Sequence, residues 1–146
     1  MNGPRGLVGT AVIGVAVVLV AGAVAIRSSA GAAPTGRREI RIDIEYSRFS
    51  PRHVEVAPGE TVRFVVVNGD PIPHEFIVGD AGIQLVHERG SEAHHPPRPG
   101  EISIPAGTTR STTVTFDVDL RAGSTLFGCH LPGHYAYGMG GEIEFV

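Results

Sequence analysis

The chain has no lysine and only one cysteine among its 146 residues. Its positive charge comes from twelve arginines. Fifteen acidic residues outnumber them, so the net charge is −3 with histidine neutral. These arginines do not cluster into the basic face that nucleic-acid binding requires, so we expect no nucleic-acid partner. A single Cys129 cannot form an internal disulfide, and an odd cysteine in an exported protein needs another explanation.

There is one long hydrophobic run, Leu7 to Ile26, which carries no charged side chain. A helix of that length spans about 30 Å, the thickness of a bilayer core, whereas the apolar region of a signal peptide has about 7–15 residues. Length therefore favours a retained membrane anchor, while the small residues Ala30-Gly31-Ala32 leave cleavage open. We predict an anchor or signal peptide at residues 1–27, a linker at 28–38, and one domain at 39–146. That domain would be periplasmic or at the cell surface, membrane-anchored or secreted.

Strand patterns dominate the chain after residue 38. Hydrophobic and charged residues alternate strictly from 39 to 46, which is the period of a half-buried β-strand. Further short apolar or alternating runs follow, separated by Gly and Pro turns, and together they predict about eight strands in an all-β sandwich or barrel. Residues 80–100 are rich in Gly, Pro, His and Glu and predict a long loop, with at most a short strand or helical turn near Ile83 to His87.

The C-terminal segment holds the residues that point to chemistry. Cys129 is followed five residues later by His134 and five residues after that by Met139, in a loop full of Gly and Pro that can curl. His74 follows an earlier apolar strand and turn and offers a fourth donor. Two imidazoles, a thiolate and a weak thioether form the ligand set of blue copper sites. Such a set leaves no open coordination position, which is typical of electron transfer rather than catalysis, and a Met ligand would be unusual for zinc, the rival metal.

The segment from Phe127 to Gly141 resembles the ligand loop of auracyanin- and rusticyanin-like members of the cupredoxin family. The stretch from Phe49 to Asn68 also resembles the early strands of cupredoxins, so the resemblance covers roughly residues 39–146. It implies a Greek-key β-sandwich and an electron carrier whose redox protein partners, including respiratory-chain components, dock at an apolar rim around His134. It also implies one type 1 copper per chain, held by His74, Cys129, His134 and Met139.

One position departs from the family pattern. Many cupredoxins have Asn or Ser directly after the first ligand histidine, where hydrogen bonds tie the two ligand segments together. Here that position is Glu75, and an acidic group beside the metal can change the potential of the site.

Two alternatives from other functional classes stay open. The first is a copper-binding protein for copper delivery or sequestration. The second is a copper enzyme, with another metal bound by His130 or by the loop histidines His87, His94 and His95. The Cys129-His130 pair resembles the pair that bridges two coppers in multicopper oxidases, but those enzymes need further His-x-His ligands and several domains. This chain has neither, so we expect no enzymatic activity.

Overall fold

The computed structural model describes Gly3 and residues 37–90, 98–117 and 123–146. Apart from Gly3, the predicted N-terminal anchor or signal peptide lies outside the described residues, as does nearly all of the predicted linker. Within the described part, no helix is long and apolar enough to cross a membrane.

Nine strands and one helix make up the described part of the chain. They are, in order, β1 (Arg38–Glu45), β2 (Arg48–Ser50), β3 (His53–Val56), β4 (Thr61–Asn68), β5 (His74–Gly79), α1 (Ala81–Glu88), β6 (Glu101–Ile104), β7 (Thr109–Thr115), β8 (Gly123–Gly128) and β9 (Gly140–Phe145). The prediction of a mostly β fold is confirmed. The strand count exceeds eight because the segment around Pro51 contributes two strands, β2 and β3, to different sheets.

The strands form two sheets, with the orders β2-β1-β4-β7 and β3-β9-β8-β5-β6. Strand β4 shows why these residues form strands, because its even positions Val62, Phe64 and Val66 are all buried. The odd positions face outward and are half-buried. This alternation places one apolar face of each sheet against the same core.

Four phenylalanines from both sheets pack together in that core. Phe64 of β4 lies 5.3 Å, between ring centroids, from Phe76 of β5, and Phe49 of β2 lies 5.3 Å from Phe127 of β8. Burying each ring contributes roughly 1.5–3 kcal/mol to folding. The core therefore fixes β5 and β8, the two strands that lead to the predicted metal ligands.

Helix α1 occupies part of the segment where the sequence predicts a long loop with at most a helical turn. The helix is only eight residues long, and Asp80 caps it by accepting a hydrogen bond from the Ile83 N–H at 2.9 Å. Its one buried residue is Gln84, whose amide nitrogen donates to the carbonyls of Ile77 and Gly79, each at 3.1 Å. Because the helix is short and its one buried residue is polar, hydrophobic periodicity gives only a weak signal for it.

We predict that Gly141→Ala destabilises the fold by about 1–3 kcal/mol, because overpacking forces the backbone or a neighbouring side chain to move. Gly141 lies opposite Phe127, and an added Cβ would meet the Phe127 ring and the Arg52 carbonyl oxygen, the latter at 2.6 Å. Urea unfolding measures the change. Gly123→Ala is the control, since a Cβ there has nothing within 4 Å. Equal loss of stability in both variants would contradict the close packing at Gly141.

Candidate metal centre

The fold brings the four predicted ligand residues to one end of the five-stranded sheet. His74 is the first residue of β5, Cys129 directly follows β8, and Met139 directly precedes β9. His134 lies in the loop between Cys129 and Met139. Because β5 and β8 are antiparallel neighbours, the start of one lies beside the end of the other, as the pairing of Ile77 with Gly128 shows.

Three donor atoms converge in a cluster that the sequence predicted. The Nδ1 atoms of His74 and His134 lie 3.3 Å apart. The Cys129 Sγ lies 3.3 Å from the His134 Nδ1 and 3.9 Å from the His74 Nδ1. Donors bonded to a metal at about 2.0–2.3 Å are themselves separated by distances of this order. The residues present therefore fit a metal that accepts two imidazoles and a thiolate.

Backbone hydrogen bonds hold the ligand loop in its curled form. The Cys129 N–H donates to the Met139 carbonyl at 3.1 Å, and the Met139 N–H donates to the His134 carbonyl at 2.9 Å. Gly133 and Gly138 have positive φ values of 85° and 89°, which a residue with a Cβ adopts only with strain. The Met139 side chain is fully buried, and its backbone is tied to both other loop ligands.

Burial sets the electrostatics of this cluster. Cys129 and Met139 are fully buried and His74 is 1% exposed, while His134 reaches the surface in part. Burial raises the pKa of the Cys129 thiol, although the Glu75 and Leu131 N–H groups oppose this by donating to the sulfur. Burial also lowers the pKa of His74, which keeps its imidazole neutral. A thiolate in this pocket therefore needs a cation to stabilise it. A neutral imidazole has a nitrogen lone pair that can bind a metal cation.

Glu75 takes part in the cluster through its backbone. Its N–H donates to the Cys129 Sγ at 3.3 Å, so a link between the two ligand segments exists whatever the side chain. The Glu75 side chain is half-buried, and its carboxylate adds to the rise of the Cys129 pKa. The departure from the family pattern thus changes the charge near the sulfur while the backbone hydrogen bond remains.

His130 follows Cys129 directly, and its ring contacts helix α1. Its Nδ1 lies 3.0 Å from the Glu88 Oε2 and its Nε2 lies 2.7 Å from the Gln84 Oε1. The Gln84 amide nitrogen already donates to backbone carbonyls, so its oxygen is the atom that faces His130. Both ring nitrogens are therefore engaged in fastening α1 to the end of β8.

Among the described residues, His53 and His87 are not part of the cluster of His74, Cys129 and His134. The His87 Nε2 lies 3.4 Å from the Glu101 Oε1, and His94 and His95 lie outside the described residues. His53 forms a second group with Glu55 and Glu144, whose potential ligand atoms also lie within 4.8 Å of one another. Sequence reasoning missed this group, because it depends on the parallel pairing of β3 with β9. All three of its residues are exposed, whereas the cluster around Cys129 is built into the core.

Comparison with known proteins gives a consistent family. Residues 37–146 match the family described as copper binding proteins, plastocyanin/azurin family. The chain is 34% identical over 117 residues to the copper-resistant cuproprotein CopI of Rubrivivax gelatinosus, covering 77% of this chain and 69% of that protein. It is 28% identical over 139 residues to CopI of Pseudomonas aeruginosa, covering 73% of this chain and 75% of that protein. The reduced auracyanin of Roseiflexus castenholzii has the same fold, with a TM-score of 0.61 at 23% identity, covering 76% and 99% of the two chains.

We predict that the copper-loaded protein is intensely coloured and that reduction bleaches the colour reversibly, because a Cys129 thiolate would bind the metal. Cys129→Ser should lose the visible absorption, since the hydroxyl does not replace the thiolate. Visible spectra of both proteins during chemical reduction measure the absorption band and its loss. A serine variant that keeps the band would show that the sulfur is not a ligand.

We predict that Met139→Leu keeps copper and colour but raises the reduction potential, since losing a weak axial donor disfavours Cu(II). The swap conserves volume and should cost less than about 1.5 kcal/mol of stability. Voltammetry measures the potential, with Ile42→Leu as a control at another fully buried position. If Met139→Leu and Ile42→Leu leave the potential equally unchanged, Met139 is not part of the site.

Proposed function

Because this chain belongs to the plastocyanin/azurin family of copper-binding proteins, we propose that it binds one copper ion and retains it as part of copper resistance. The observation that carries the proposal is the buried group of His74, Cys129 and His134, whose donor atoms suit copper. Its relatives at 34% and 28% identity are both named copper-resistant cuproproteins, which favours copper sequestration or delivery over the electron-carrier role that the sequence suggested first.

The burial of the sulfur-containing side chains supports the retention of copper. A thiolate and a thioether are soft donors that favour Cu(I), while imidazoles bind both oxidation states. Cys129 and Met139 are fully buried and so closed to water and to competing ligands. Copper, when bound, supplies one-electron redox chemistry, and the protein's contribution is to hold the donors in place and to exclude solvent.

We place this activity outside the cytoplasm, in the periplasm or at the cell surface. The apolar run at residues 7–26 supports export, whether it stays as a membrane anchor or is removed as a signal. A protein at this location would meet copper before the metal reaches the cytoplasm.

Electron transfer is the second candidate, and the surface around His134 favours it. Ile72 is 42% exposed and Tyr137 is 80% exposed, and both belong to the segments that carry His74 and His134. Together with the half-buried Leu131 they offer apolar surface where a redox protein could approach the exposed edge of His134. An enzymatic role has less support, because both nitrogens of His130 are engaged by Gln84 and Glu88.

Copper tolerance distinguishes the two candidates. Cells that lack the gene would be complemented with the wild-type chain, with Cys129→Ser, or with Leu131→Glu/Ile72→Glu, which charges the apolar surface and leaves the ligands intact. We predict that Cys129→Ser loses tolerance and that the double variant keeps it, because retention needs the ligands alone. Growth across a copper series measures both.

The opposite pattern would overturn the proposal. A double variant that binds copper with unchanged colour yet loses tolerance would show that docking of a redox partner is essential, because a desolvated charge in an interface is costly. Full tolerance with Cys129→Ser would show that resistance does not depend on this site.

A further inference from the structure

Asp70 lies in the turn between β4 and β5, and its carboxylate contacts the predicted copper ligand His74. The Asp70 Oδ2 lies 2.9 Å from the His74 Nε2, on the side of the ring opposite to the donor cluster. The carboxylate is 11% exposed and the His74 side chain is fully buried. The ligand and its carboxylate partner thus form a pair that is largely shielded from solvent.

Two backbone groups hold Asp70 in this place. The Tyr46 N–H donates to the Asp70 Oδ1 at 2.7 Å, and the Ser47 N–H donates to the Oδ2 at 2.8 Å. Tyr46 and Ser47 form the turn between β1 and β2, and both have a positive φ of 54°. Asp70 therefore links the turn of the four-stranded sheet to a ligand in the five-stranded sheet.

The contact fixes which nitrogen of His74 is free. An ionised carboxylate only accepts hydrogen bonds, so the Nε2 must carry the proton and donate it to Asp70. The Nδ1 then presents its lone pair, and it is the Nδ1 that lies 3.9 Å from the Cys129 Sγ and 3.3 Å from the His134 Nδ1. His74 is therefore held in the tautomer and orientation that binding a metal requires.

We propose that Asp70 is a positioning residue of the copper centre, which orients His74 and through its negative charge strengthens that imidazole as a donor to Cu(II). The inference rests on the proposed copper site. A carboxylate that accepts from the distal nitrogen of a ligand histidine raises the basicity of the ring, and loss of such a partner typically costs 10–100-fold in metal affinity. Cu(II) gains more than Cu(I) from a stronger, harder donor, so Asp70 lowers the reduction potential.

The turn between β4 and β5 should keep its shape when the charge of Asp70 is removed, because Asn68 also holds it through hydrogen bonds. The Asn68 Nδ2 donates to the Ile72 carbonyl at 2.8 Å and to the Ile104 carbonyl at 3.2 Å. Asp70→Asn keeps the size of the side chain and one oxygen that can accept, while it removes the negative charge and the second accepting oxygen. Because the Asn68 contacts are untouched, its effect on His74 can be measured without a collapse of the loop.

The test compares the full chain with Asp70→Asn and with Glu39→Gln, an exposed control that removes the same charge from β1, outside both groups of potential metal ligands. We expect Asp70→Asn to weaken Cu(II) binding by 10–100-fold against a competing chelator and to weaken Cu(I) binding less. Each tenfold difference between the two losses raises the potential by about 59 mV for this one-electron couple. Glu39→Gln should match wild type in both affinities and in potential.

Nitrogen-15 magnetic resonance of the metal-free protein supplies a readout that does not involve copper. Wild type should show His74 protonated at Nε2 alone, and Asp70→Ala should show a mixture of both tautomers. An Nε2-protonated His74 in Asp70→Ala, or an Asp70→Asn variant with unchanged Cu(II) affinity and potential, would overturn the role of Asp70. If instead the wild-type chain bound no copper, the proposed function itself would fail.

Discussion

The rest of the site depends on a sulfur donor that is completely removed from water. Cys129 sits at the end of β8 with no exposed surface, and burial raises the pKa of its thiol. A bare thiolate in that position is unfavourable, because desolvation penalises the charged form. A soft cation offsets the penalty, and the imidazoles of His74 and His134 stand within 4 Å to share it. A copper ion bound here would therefore also compensate the charge of the buried thiolate.

That pocket exists because separate parts of the chain are fastened around it. The phenylalanine core fixes β5 and β8, and two backbone hydrogen bonds close the loop from Cys129 to Met139. On the outer face, Gln84 and His130 lock α1 against the end of β8. On the inner side of the turn before β5, Asp70 connects His74 to the turn between β1 and β2. A site held from several directions changes little in shape, which suits retention of a metal and also transfer of an electron.

The prediction from the sequence was strongest where the chemistry is local, and it also included His74, which lies 55 residues before Cys129. Cys129, His134 and Met139 follow one another in a single loop, and copper as the cofactor is confirmed, while the fourfold ligand assignment stays a prediction. The mostly β fold is confirmed too, because period-two alternation depends on each strand alone. For α1 the sequence predicted only a short strand or a helical turn near Ile83 to His87, because the one buried residue of the helix is the polar Gln84. Asp70 escaped notice because its partners Tyr46 and Ser47 lie more than twenty residues away in the chain.

X-ray absorption at the copper edge tests most directly whether His74, Cys129 and His134 bind the copper, because it reports which atoms surround the metal in the copper-loaded full chain. We expect one copper per chain, with a sulfur and two imidazole nitrogens in its nearest shell. Cys129→Ser should lose the sulfur contribution while the imidazole contributions remain. A nearest shell of nitrogen and oxygen alone in the wild-type protein would rule out Cys129 as a ligand and place the copper outside the buried cluster.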